Sequence, residues 1–192
     1  MVGDCGTNMA MALQPVRKSR PPLTRENLQE IALNYVGRFA TSRAKLISYL
    51  QRKVRERGWD GEREPPFDEL ADRLITLGYV DDRAFALSKA RSLTARGYGQ
   101  RRVRQALATS GISEDDGADA LEFADEVAVA AALKFAKRRS IGPFATEVPD
   151  PSKRERVLAA MVRAGHRFAL ARAIIELKPG EIPDSETLFN VR

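Results

Sequence analysis

Three times along the chain a basic amphipathic stretch stops at a glycine followed by a bulky residue, and a new helical pattern begins. The breaks are Gly58-Trp59, Gly111-Ile112 and Gly165-His166. One turn apart and upstream of each lies a matching apolar pair: Leu46/Leu50, Val103/Leu107 and Val157/Met161. Corresponding positions recur about every 55 residues, the footprint of a tandem structural repeat. A unit this small cannot bury its apolar face alone and borrows core from its neighbours. Such a chain places its function on an extended surface and not in a pocket.

Local signals divide each unit into three short helices. In the first, Thr24 caps a helix whose Leu28, Ile31, Ala32, Tyr35 and Phe39 face inward at helical spacing. Thr41 or Ser42 starts the second, with Leu46, Ile47, Leu50 and Val54 inside, and Gly58 suits a left-handed ending with Trp59 as its apolar contact. The third turns Leu70, Leu74, Ile75 and Leu77 inward and stops at Gly78. In the middle unit Asp81 or Asp82 caps a helix to about Arg96, Gly97-Tyr98-Gly99 makes a corner, and residues 100–110 form the next helix. Ser113 with Asp116 opens the last one as a near capping box. The third unit begins near Asp125 with an alanine-rich helix. Asp150-Pro151 then starts a second helix, and Phe168, Ala171, Ile174, Ile175 and Leu177 define a third. No segment shows sustained strand alternation. The expected fold is all-α, an elongated tandem array of three three-helix repeats. Residues 1–22 read as a flexible basic tail, 23–80, 81–124 and 125–178 as the repeats, and 179–192 as a C-terminal tail.

Of the 192 residues, 43% are hydrophobic and only 7% aromatic, so the cores must be built from Leu, Val, Ile and Ala. A formal net charge of +6 favours a polyanionic or acidic partner. The single cysteine, Cys5, lies in the tail, which excludes an internal disulfide and fits a reducing cytoplasm. No apolar run is long enough to cross a bilayer, so a soluble cytoplasmic protein is expected.

Catalytic chemistry is hard to assemble. The only histidine, His166, sits at a helix junction with no second histidine or cysteine for a metal, so core or capping use is expected. Gly97 and Gly99 flank a corner with no strand before it, so they are no phosphate cradle. Cys5 in a loose tail is a poor nucleophile. No cofactor and no metal are expected. The arginines are the distinctive feature: Arg91, Arg96, Arg101, Arg102 and Arg104 lie on two helices meeting at one corner, with Tyr98 between them. Arg43, Lys45 and Arg52 of the first unit, and Arg138 and Arg139 of the third, extend the candidate surface. Guanidinium groups make forked contacts to carboxylates and phosphates that lysine cannot copy.

The string Gly78-Tyr79-Val80-Asp81-Asp82, then Phe85-Ala86, then Arg96-Gly97-Tyr98-Gly99-Gln100-Arg101-Arg102-Val103 resembles the RecX family of recombinase regulators. Gln100 stands where the family usually has proline, and Ala106 where it has glutamate. The likeness covers about residues 27–178 and implies the same three-repeat architecture. It also implies a non-enzymatic monomer that lies in the groove of the RecA filament on single-stranded DNA and chiefly inhibits it. Duplex DNA would be bound more weakly. A helix-turn-helix regulator of duplex DNA and a non-specific nucleic-acid binder are the competing expectations.

Overall fold

The computed structural model describes residues 20–191. The basic tail expected over 1–22, with Cys5, lies outside that range except for its last three residues. Ten α-helices follow one another: α1 Arg25–Val36, α2 Arg43–Arg57, α3 Phe67–Thr76, α4 Asp82–Ala95, α5 Gln100–Thr109, α6 Glu114–Glu126, α7 Ala128–Arg138, α8 Pro151–Arg163, α9 Phe168–Glu176 and α10 Ser185–Asn190. A single 3-10 turn, Gly142–Phe144, lies between α7 and α8. Among the described residues there is no strand, only an isolated bridge between Leu23 and Trp59.

The helix starts follow from side-chain capping. Thr24, Ser42, Asp81, Ser113 and Asp150 each accept a hydrogen bond from the backbone N–H three residues on, satisfying a donor that the first turn leaves unpaired. The stops are equally local. At Gly111 and Gly165, both at positive φ, the next residue's N–H reaches back to the last turn: Ile112 to the Leu107 carbonyl and His166 to the Met161 carbonyl, each at 3.2 Å. Gly58 departs from this pattern. Its φ is positive but its ψ of 169° is extended, so the chain leaves α2 straight and its carbonyl accepts from the Leu23 N–H at 3.0 Å.

Three apolar cores result, one per unit. Leu28, Leu46, Leu50, Leu70 and Leu74 dominate the first. The second rests on small residues, with Ala86 and Ala90 of α4 facing Ala120 and Ala124 of α6 while Val103 and Leu107 fill the space between. Phe135, Met161, Leu170 and Ile174 form the third. Tyr98 packs against both the second and the third.

Four residues expected inside are exposed. Phe39 (57%) follows Gly37, where α1 has already ended and its periodicity no longer applies. Leu77 (57%) is the residue that closes α3, and Ile75 lies at the edge of a buried stripe already filled by Leu70, Ala71 and Leu74. Phe168 (55%) is the first residue of α9 and overhangs the core that Ala171, Ile174 and Ile175 enter. The expected C-terminal tail is also not free throughout: α10 forms there, capped by Asp184, and Leu188 is buried in the third core.

Candidate functional site

The arginine-bearing surface is positioned by two joints between units, each at the start of one middle helix and the end of the next unit's. At the first, the Ser42 hydroxyl caps α2 and donates to the Ser110 carbonyl at 2.5 Å. Gly111 lies so close that an added Cβ would sit 2.3 Å from the Ala44 methyl. The Arg43 backbone N–H donates to the Asp82 carboxylate at 2.8 Å, and burial raises the pKa of that carboxyl. At the second joint, the Gly99 N–H donates to the Ala164 carbonyl at 3.0 Å and the Arg101 N–H to the Gly165 carbonyl at 3.2 Å. An added Cβ on Gly99 would lie 2.3 Å from the Gly165 oxygen, so only glycine permits this approach.

In both cases the N-terminus of one unit's middle helix meets the C-terminus of the next unit's middle helix. At the second joint unpaired N–H groups of α5 satisfy unpaired carbonyls at the end of α8, whereas at the first the Ser42 hydroxyl is the donor to the last carbonyl beyond α5. α5 has no side-chain cap of its own because α8 supplies the partners. Helices α8, α5 and α2 thus form a spine, stacked in the reverse of their sequence order.

His166 locks the second joint. It is 2% exposed, and its Nε2 lies 3.1 Å from the Gly97 carbonyl, which assigns Nε2 as the donor. Nδ1 is left buried without a hydrogen-bond partner. Burial lowers its pKa to about 4, only partly offset by the bond to Gly97, so the ring is neutral near pH 7. Phe135 packs edge-on against it at 5.5 Å.

Arginines converge on the same joint. The Arg138 guanidinium donates to the Arg96 carbonyl at 2.6 Å and lies 5.5 Å from the Phe135 ring centre, with Arg139 at 5.6 Å from that ring. Arg96 stacks over Tyr98 at 5.2 Å. Arg96, Tyr98, Arg138 and Arg139 are therefore one cluster spanning two units. Arg101, Arg102 and Arg104 adjoin it on the exposed face of α5, where Arg102 donates to the Gln105 side chain at 2.7 Å. Arg91 lies one helix away, over Phe123 at 5.7 Å.

The first-unit candidates are set apart by their partners. Arg43 bonds Asp72 at 2.9 Å and Asp68 at 2.8 Å, and Asp72 first, then Asp68, raises its pKa. Lys45 is half-buried over Phe85 at 5.1 Å, its pKa lowered by burial and then by Lys89. Arg52 pairs with Glu56 at 3.7 Å. Arg91, Arg96, Arg101, Arg102, Arg104, Arg138 and Arg139, by contrast, have no carboxylate at ion-pair distance among the described residues. Phe135 is missing from the sequence reading; the burial of His166 at the joint meets its expected core use, while its bond to Gly97 was not foreseen. The only signal for His166 was its place after the third glycine break.

Among the described residues no cluster of His, Cys, Asp or Glu could hold a metal, and no helix is long and apolar enough to cross a membrane.

Comparison with known proteins agrees with this architecture. The family model for the second three-helix domain of RecX matches residues 81–121, the stretch that folds as α4 to α6. The regulatory protein RecX of Myxococcus xanthus (strain DK1622) is 32% identical over 162 residues, 79% of this chain and 86% of that protein. That of Agrobacterium fabrum is 25% identical over 144 residues, 73% of this chain and 77% of that protein. The crystal structure of RecX from Lactobacillus salivarius superposes with a TM-score of 0.57 at 21% identity, covering 79% of this chain and 94% of that one, which supports the fold. A second RecX crystal structure gives a TM-score of 0.58 at 22% identity, covering 79% and 72%. With its three-helix units, its glycine-welded joints and a relative alike along most of both chains, this protein belongs to the RecX family.

Proposed function

We propose that the chain lies in the helical groove of the RecA filament on single-stranded DNA and inhibits it. It would slow ATP hydrolysis, strand exchange and repressor cleavage by bridging neighbouring subunits and hindering the motions coupled to hydrolysis. It acts by binding and without catalysis, as a cytoplasmic monomer, and holds duplex DNA only weakly.

The observation that carries this reading is the end-to-end stacking of α8, α5 and α2. Linking three short basic helices end to end supports a single extended surface that would follow a groove. The unpaired arginines of α5 and of the second joint lie along it. An arginine not engaged by its own protein's carboxylates keeps its forked donors for a phosphate or a foreign carboxylate.

The duplex-reading alternative fares less well. In a helix-turn-helix unit the last helix enters the major groove. Here the last helix of the middle unit, α6, starts with Glu114, Asp115 and Asp116, which phosphates would repel.

The test is to titrate the protein into RecA filaments on single-stranded DNA while following ATP hydrolysis. Hydrolysis should fall as the protein approaches stoichiometry with the filament; unchanged turnover there would defeat the proposal. Binding to free single strands with a log-log salt slope of roughly −0.7 per neutralised phosphate, and no response to the recombinase, would favour a non-specific binder.

A further inference from the structure

Neither joint uses the surface between α4 and α7. A shallow groove of about 380 Å³ runs there, with Phe123, Val127, Ala130 and Ala131 as its floor and Arg91 and Lys134 at its rims. The floor is apolar and smooth, because alanines leave backbone-level space beside one aromatic ring. No carboxylate lines it; Glu122 and Glu126, the nearest acids along α6, are exposed and point elsewhere than into the lining. Neither Arg91 nor Lys134 has an acidic partner among the described residues. The groove is continuous with the arginine cluster: Lys134 and Arg138 share a face of α7 at i, i+4 spacing, and Arg138 reaches the Arg96 carbonyl.

We infer that this groove is a protein-docking site whose occupant is an acidic peptide segment of the filament protein, carrying one aliphatic anchor side chain between carboxylates. The inference rests on the filament reading above and assigns this face to protein. Charge complementarity selects the occupant: two unpaired cations bracket an apolar floor, which suits an apolar side chain flanked by acids. A nucleobase fits less well, because the face of Phe123 that it would stack on is already covered by the Arg91 guanidinium at 5.7 Å.

The test uses the full-length protein on RecA filaments, with two substitutions of opposite charge at the exposed Ala130. Glutamate in the first turn of α7 suits the helix dipole and lysine does not. Helix stability therefore moves oppositely to the binding expected. Ala130→Glu should weaken filament binding about tenfold or more, whereas Ala130→Lys should stay within about threefold of the unchanged protein. A benzoylphenylalanine photoprobe replacing the exposed Ala95 at the groove edge should cross-link to a recombinase subunit. Equal weakening by both substitutions, a cross-link to DNA, or no cross-link while hydrolysis is still slowed would each overturn the groove assignment and leave the filament reading standing. Failure of the unsubstituted protein to bind the filament or slow hydrolysis would instead remove both.

Discussion

The Gly99 N–H donates to the Ala164 carbonyl at 3.0 Å, joining the start of α5 to the end of α8 by backbone alone. The equivalent contact at the first joint needs a side chain, the Ser42 hydroxyl, to reach Ser110. At Gly99 the missing side chain is what lets the two backbones meet, because an added Cβ would lie 2.3 Å from the Gly165 oxygen.

Gly99→Ala should therefore separate the middle and third units. The new Cβ would meet the Gly165 oxygen at 2.3 Å, a backbone atom that cannot rotate away. A loss of about 1–3 kcal/mol is expected, the usual range for overpacking. Chemical denaturation checks the magnitude, and faster hydrogen exchange at the Gly99 and Arg101 amides would localise it. Gly78→Ala is the control: nothing lies within 4 Å of its Cβ position, so only the strain of positive φ, roughly 1 kcal/mol, remains.

His166 should make the second joint sensitive to acid. Its pKa is about 4 in the folded chain against 6.5 for an unperturbed imidazole, so the unfolded state binds more protons between those values. Stability attributable to this group is complete above pH 6.5, falls as pH drops toward 4, and is level below that. The full span is about 3 kcal/mol. Unfolding free energies of the parent protein and His166→Gln, measured from pH 7.5 to 4, should converge as pH falls. Parallel curves would disprove the buried neutral ring.

Leu107→Ala removes a side chain that is 3% exposed in the second core and should cost about 2–5 kcal/mol. Thermal unfolding by circular dichroism reads this directly. A change below about 0.5 kcal/mol, typical of a surface site, would show that the position is not core.

Arginine substitutions should split into two groups. Arg96, Arg101 and Arg104 to alanine together should weaken inhibition of RecA ATP hydrolysis while leaving helical content unchanged, because none of the three has a carboxylate partner among the described residues. Arg43→Ala should instead lower stability, by up to about 1 kcal/mol for a partly exposed pair of ion bonds to Asp68 and Asp72. Circular dichroism and ATPase assays on both variants separate the two outcomes; unfolding of the triple variant would make those arginines structural.

Helix ends, repeat phase and the inner pairs Leu46/Leu50 and Val103/Leu107 were legible in the chain itself, because capping and amphipathicity are decided within three or four residues. Where that periodicity lapses at a helix end, as at Phe39 and Leu77, local reading overextended the buried face. Leu188 escaped it because a six-residue helix has too few turns to display a pattern. The order of the spine, the weld at Gly99 and the pairing of each arginine belonged to the tertiary structure alone. Arg43 finds its acids 25 and 29 residues away, and His166 finds Gly97 across 69. Contacts over such separations depend on how whole units stack, and an arginine destined for an internal carboxylate looks, residue by residue, the same as one left open to solvent.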